Sequence, residues 1–123
     1  MQQFVETIKI KDGKALNLNF HQSRMCRTMR HFFADAPVPA LADVLSPTPD
    51  MQFYKARVLY DGQGVVDVQY APYTMREIRS LKVVVDDRID YSFKSADRSS
   101  LNRLTAQKGD CDEIIIVKNG LVT

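Results

Sequence analysis

FVETIKIKDGKALNLNF, residues 4–20, alternates Phe4, Glu6, Ile8 and Ile10 with Val5, Thr7 and Lys9, then reaches Asp12-Gly13 and resumes the alternation from Ala15 to Phe20. A period of two with several β-branched residues predicts a strand, and Asp-Gly between two such runs predicts a hairpin turn. From His21 the period changes. Met25, Met29, Phe32 and Phe33 fall at i, i+4, i+7 and i+8 and predict a helix from about Gln22 to Phe33 with one apolar face, while Arg24, Arg27 and Arg30 form a basic edge.

Outward from this core, Pro37 and Pro39 end the helix, and Ala40–Leu45 predicts a short second one before Pro47 and Pro49. Gln52–Tyr60 and Val65–Tyr70 predict two strands around Asp61-Gly62-Gln63-Gly64, and Ser80–Val85 a further strand. The fold class that follows is α+β: a small antiparallel sheet with helices on one face, occupying residues 1–86. Residues 87–123 have a different texture. Ile89–Phe93 is loop-like, Ala96–Gln107 has helical spacing through Leu101 and Leu104, Glu113–Val117 is an apolar strand, and Lys118-Asn119-Gly120 is a turn into an extended Leu121-Val122-Thr123. A last strand with no partner after it leaves backbone groups to satisfy, so the end reads as a truncation inside a second, incomplete domain.

Of the 123 residues, 45% are hydrophobic and 26% charged, enough for one modest core, and the formal charge of +2 supplies no whole-chain field favouring nucleic acid or membrane. Cys26 and Cys111 lie far apart without CxxC spacing or clustered histidines, which argues against a disulfide framework or a metal site. The N-terminus has no apolar signal segment and no stretch reaches membrane-span length, so a cytoplasmic location is the default expectation.

Several residues admit chemistry. Lys94, in Tyr91-Ser92-Phe93-Lys94-Ser95-Ala96-Asp97-Arg98, is flanked by aromatics ahead of a predicted helix. Burial and a neighbouring cation would favour the neutral amine that a Schiff-base lysine needs, although by spacing alone a solvated lysine near a helix start is the simpler reading. Arg24, Arg27 and Arg30 suit phosphate through bidentate guanidinium contacts or form an ordinary solvated helix face. On either reading Arg24 lies on a polar edge, and its loss is expected to leave stability nearly intact. His21 at the predicted helix start is read as a capping or packing residue before a general base, His31 as structural, and Asp86, Asp87 and Asp90 as a charged turn lacking the glycine and glutamate of a calcium loop.

Three stretches together resemble the class IV aminotransferases, which include branched-chain and D-amino-acid transaminases and aminodeoxychorismate lyase. Phe4-Val5-Glu6-Thr7 with Asp12-Gly13-Lys14 and His21-Gln22-Ser23-Arg24-Met25 is similar to the family's opening. Lys94 with Asp97-Arg98 resembles the element around its cofactor lysine, and Asp112–Thr123 the strand and turn downstream. The resemblance implies pyridoxal 5'-phosphate as cofactor, Lys94 as the lysine that bonds to it and shuttles a proton, and Arg24, placed at the first turn of its helix, as a ligand of the cofactor phosphate. It also implies a homodimer and a small-molecule substrate, either an amino acid for transamination or aminodeoxychorismate for pyruvate elimination. Ser99 stands where transaminases commonly carry a tyrosine, and the acid that partners the pyridine nitrogen follows the position of Thr123 in the family. The lyase-like activity is therefore preferred, with a transaminase, or a non-catalytic binding or scaffold relative, as alternatives, and the chain alone is expected to be inactive. A nucleic-acid module is disfavoured, since the arginine edge lacks interleaved aromatics.

Overall fold

A computed structural model describes residues 1–123. Strand β1, Phe4–Lys11, turns through Asp12 and Gly13, both at positive φ, into the two-residue β2, Lys14–Ala15. Paired positive φ values twist this turn in the sense of the flanking strands. β1 also pairs antiparallel with β3, Phe53–Asp61, and β3 with β4, Gly64–Pro72, giving the order β2-β1-β3-β4. The pleat sends Phe4, Glu6, Ile8 and Ile10 to one face opposite Tyr60, Val58, Ala56 and Tyr54. The other face exposes Thr7, Lys9, Lys55 and Arg57.

Helix α1, Leu18–Phe32, covers the apolar face with Met25, Thr28 and Met29 buried. It begins a turn before the expected Gln22, and Asn17–Phe20, expected as strand, is not strand. Asn17 adopts a left-handed conformation at φ 55°, which stops the extended chain, and its carbonyl accepts the first helical N–H groups from Phe20 and His21. Alternation in Leu16–Phe20 was therefore overridden by one residue tolerant of positive φ. The short α2, Leu41–Val44, is tied to α1 by Gln22, whose side chain donates to Pro39 O at 3.0 Å and accepts Leu41 N–H at 2.8 Å. Under α1 the buried hydroxyls of Thr28 and Tyr60 make no hydrogen bond of good geometry, yet Thr28 lies near enough to lower the Tyr60 pKa against the larger upward push of burial.

The chain divides into two compact units, one of residues 1–74 with 93–96 and one of 75–92 with 97–123. The division precedes the expected boundary after residue 86 because β5, Leu81–Val85, does not join the N-terminal sheet. It pairs in parallel with β6, Glu113–Lys118, which pairs antiparallel with β7, Leu121–Val122. Helix α3, Ser99–Thr105, runs into a short 3₁₀ turn and covers one face of this sheet, where Val84, Ile89 and Leu104 form a small core with Leu101, Ile114 and Ile116. Leu81, Val83 and Val85 are exposed. The fold is α+β throughout.

Asp112 fastens the entry to β5. Its Oδ2 accepts N–H groups from Arg79 at 2.8 Å and Ser80 at 3.2 Å, and the Arg79 N–H contact foremost holds its carboxyl below the usual carboxylate range. A depressed carboxyl pKa contributes stability above the ordinary value and loses it as pH falls through the lowered one. Amide-exchange protection at Ser80 is therefore expected to fall in acid in the native chain. In Asp112→Asn it should be lower at neutral pH and flat through the same range; identical profiles would remove Asp112 from this role.

Candidate active site

Glu6 occupies an inward position of β1 and is fully buried between Phe4 and Ile8. A carboxylate there needs cationic partners, because desolvation otherwise outweighs everything else it does. Helix α1 supplies the cation Arg24 and, one turn earlier, the hydrogen-bonding imidazole of His21. Arg24 grips Glu6 side-on, Nε to Oε2 at 2.8 Å and Nη2 to Oε1 at 2.7 Å, and His21 Nδ1 lies 2.6 Å from Oε1. An ionised carboxylate only accepts, so Nδ1 carries the proton of that contact. The Arg24 side chain keeps 35% of its surface exposed against 16% for His21, so the guanidinium forms the outer member of the cluster.

These contacts revise the reading of the arginine edge. Arg24 stands two turns into α1, where a helix dipole adds little, and it pairs with a buried acid while Arg27 and Arg30 are exposed. His21 is a hydrogen-bond partner of Glu6 and does not cap the helix. His31 stacks on Phe93 at 4.7 Å between ring centres, a packing role.

Lys94 lies at the middle of a three-residue turn closed by Ser95 N–H to Phe93 O at 2.9 Å. This segment docks on the start of β1: Val5 N–H donates to Lys94 O and Ala96 N–H to Gln3 O, each at 2.9 Å, with Phe4 opposite Ser95. The Phe93 ring completes the anchor against His31 and edge-on to Phe32 at 5.0 Å. Lys94 is partly buried, and α3 begins at Ser99, whose N–H the Asp97 carboxylate accepts at 2.9 Å. The Lys94 backbone and the Arg24 guanidinium thus meet β1 at consecutive residues, Val5 and Glu6, near one end of the strand.

The second unit has an open cleft of about 260 Å³ lined by Asp90, Tyr91, Ser92, Leu101, Lys118 and Thr123 among others. Lys118 is committed there, donating to Ile89 O at 2.6 Å, and Asp90 is held below the usual range by the Ser92 hydroxyl and amide. The aspartates of the charged turn cap backbone: Asp86 accepts Arg88 N–H and Asp87 accepts Asn119 N–H. No group of three or more His, Cys, Asp or Glu is gathered as a metal site, Cys26 and Cys111 are free thiols, and no helix is long and apolar enough to cross a membrane.

No family model matches the sequence. An uncharacterised protein of Haemophilus influenzae is 38% identical over 127 aligned positions, covering 100% of this chain and 67% of that protein. The chain belongs to the same family as that protein. Among solved structures, a proposed 4-amino-4-deoxychorismate lyase from Haemophilus somnus superposes with a TM-score of 0.89 at 34% identity, over 100% of this chain and 66% of its own. A second proposed 4-amino-4-deoxychorismate lyase, from Legionella pneumophila, shares the fold at a TM-score of 0.64 and 14% identity, covering 95% of this chain and 53% of its own. This chain therefore spans about two thirds of the first structure's length and about half of the second's.

Sequence reasoning named Arg24 and Lys94 but passed over Glu6 as a site member. The signal was present: an acidic residue in the inward register of an otherwise apolar strand requires a buried partner.

Proposed function

We propose that this chain carries the cofactor-lysine portion of a pyridoxal-phosphate-dependent lyase of the class IV aminotransferase type, releasing pyruvate from 4-amino-4-deoxychorismate. The observation that carries the reading is the docking of Lys94 on β1 beside the Glu6–Arg24 pair. The 34% identity to a proposed lyase of that name supports the substrate class. A homodimer and a cytoplasmic setting belong to the same proposal, and the alternative of a transaminase carries no specific observation of its own.

The donor set fits the cofactor. Arg24 offers a fixed, partly exposed guanidinium suited to a phosphate, and the main chain of Lys94 docks at Val5, next to the Glu6 that holds Arg24. When bound, pyridoxal phosphate supplies an electron sink for charge developing at the substrate carbon bonded to the amino nitrogen. In this scheme Arg24 binds and orients through the phosphate, and Lys94 Nζ holds and moves the proton. The test is a titration of the chain with pyridoxal phosphate followed by borohydride reduction and peptide mapping. An adduct at Lys94 is expected, and failure to label any lysine would sink the reading.

Arg24→Ala separates binding from folding. Loss of the charge-assisted phosphate contact should weaken cofactor affinity roughly ten- to a hundredfold. The structure also corrects the expectation that stability is spared, because the substitution strips Glu6 of its bidentate partner. Breaking a fully buried pair costs about 3–5 kcal/mol. Arg24 is about a third exposed and His21 remains, so a discounted loss of about 1.5–3 kcal/mol is expected by denaturant unfolding. Unchanged affinity together with unchanged stability would return Arg24 to a solvated helix face.

A further inference from the structure

We infer that Glu6 is the positioning residue of the phosphate site: its buried carboxylate, braced by His21, fixes the orientation in which Arg24 meets a phosphate. The inference rests on the cofactor reading above and adds to it a residue that touches no cofactor.

A buried ion pair at a sheet–helix interface is poor evidence for stability, since apolar residues of similar volume commonly do as well. Glu6 stands between Phe4 and Ile8 on the inward face of β1 and opposite Val58, where an apolar residue would suit the register. What the pair does accomplish is geometric. An arginine side chain has many rotamers, and a fork engaged at two points fixes both the position and the plane of its guanidinium. Glu6 occupies the Nε–Nη2 edge, so the remaining N–H directions of the guanidinium plane are set by the carboxylate. His21 Nδ1 holds the same Oε1 that accepts Arg24 Nη2, which restrains rotation of the carboxylate itself. All three groups stand on regular elements, Glu6 on β1 and its two partners on α1, and the carboxylate is fully buried while the guanidinium reaches the surface. This is the arrangement expected of a support behind a ligand-facing group.

The test compares two aldehydes on the full chain: pyridoxal phosphate and pyridoxal, which lacks the phosphate. Affinities are read by absorbance titration, and borohydride labelling of Lys94 reports on the amine. The native chain should prefer the phosphorylated aldehyde. In Glu6→Gln, which keeps shape and removes charge, that preference should fall roughly tenfold while pyridoxal affinity and labelling of Lys94 by pyridoxal stay unchanged. His21→Gln should give a smaller loss in the same direction. A merely structural role would weaken both aldehydes alike, so an equal loss, or a preference equal to the native one, overturns the inference. If Glu6→Gln does not fold, Glu6→Asp retains the charge one methylene further back; a reduced preference is expected, and a native one overturns the inference. Failure of the native chain to label at all would overturn the cofactor reading and this inference with it, whereas labelling with an unaltered preference in the variants overturns this inference alone.

Discussion

Lys94→Ala is expected to abolish the borohydride-stable adduct with pyridoxal phosphate and leave the fold unchanged. The turn is held by main-chain contacts, Val5 N–H to Lys94 O, Ser95 N–H to Phe93 O and Ala96 N–H to Gln3 O, and none of them needs the lysine side chain. Its anchor is the neighbouring Phe93 ring on His31 and Phe32. Circular dichroism and unfolding midpoint should therefore match the native chain. The other lysines are poor substitutes: Lys9, Lys11, Lys14, Lys55 and Lys82 are exposed, Lys108 is half-buried but lies in the second unit, and Lys118 is spent on the Ile89 carbonyl. Peptide mapping after reduction should find label at Lys94 in the native chain and none above background in the variant. A variant that still labels at one lysine, Lys118 in particular, would move the assignment to the second unit.

Much of the first unit was legible in local sequence. The alternation of β1, the Asp12-Gly13 turn, the Met25/Met29 face and the proline stops are short-range patterns, and each corresponds to an observed element or boundary. Two misreadings have different causes, one local and one long-range. Leu16–Phe20 keeps its alternation but is cut by one left-handed residue, Asn17, and Ser80–Val85 has the composition of a strand without any local mark of its partner. β5 pairs with β6 across the whole α3 connection, a long-range choice that strand propensity does not encode. The candidate site divides the same way. Family resemblance points to Lys94 and Arg24 as isolated residues, while their attachment to adjacent positions of β1 depends on the register of helix against strand.

Phe4→Ala connects that register to function, and it is expected to cost about 3–5 kcal/mol of stability, as for other buried aromatics truncated to alanine. Phe4 is fully buried, its ring centre 4.8 Å from Phe32, 6.2 Å from Phe33 and 6.0 Å from Tyr60, so truncation opens a cavity where the end of α1 meets β1 and β3. The same residue faces Ser95 across the bridge that docks the lysine turn. Phe32, freed from Phe4, also loses its fixed stance against Phe93, the side-chain anchor of that turn. Two consequences should therefore appear together: a lower denaturant midpoint, and a slower or smaller borohydride labelling of an unchanged Lys94 under conditions where the variant is still folded. Phe33→Ala serves as the comparison, since Phe33 packs on Phe4 but makes no ring contact with Phe93. It should destabilise less and leave labelling nearer to the native level, because the lysine turn keeps its Phe93 anchor. Equal loss of labelling in the two variants at matched stability would show that the turn depends on the core as a whole, and native labelling in a folded Phe4→Ala chain would show that the Phe4–Phe32–Phe93 ring packing does not hold Lys94 in place.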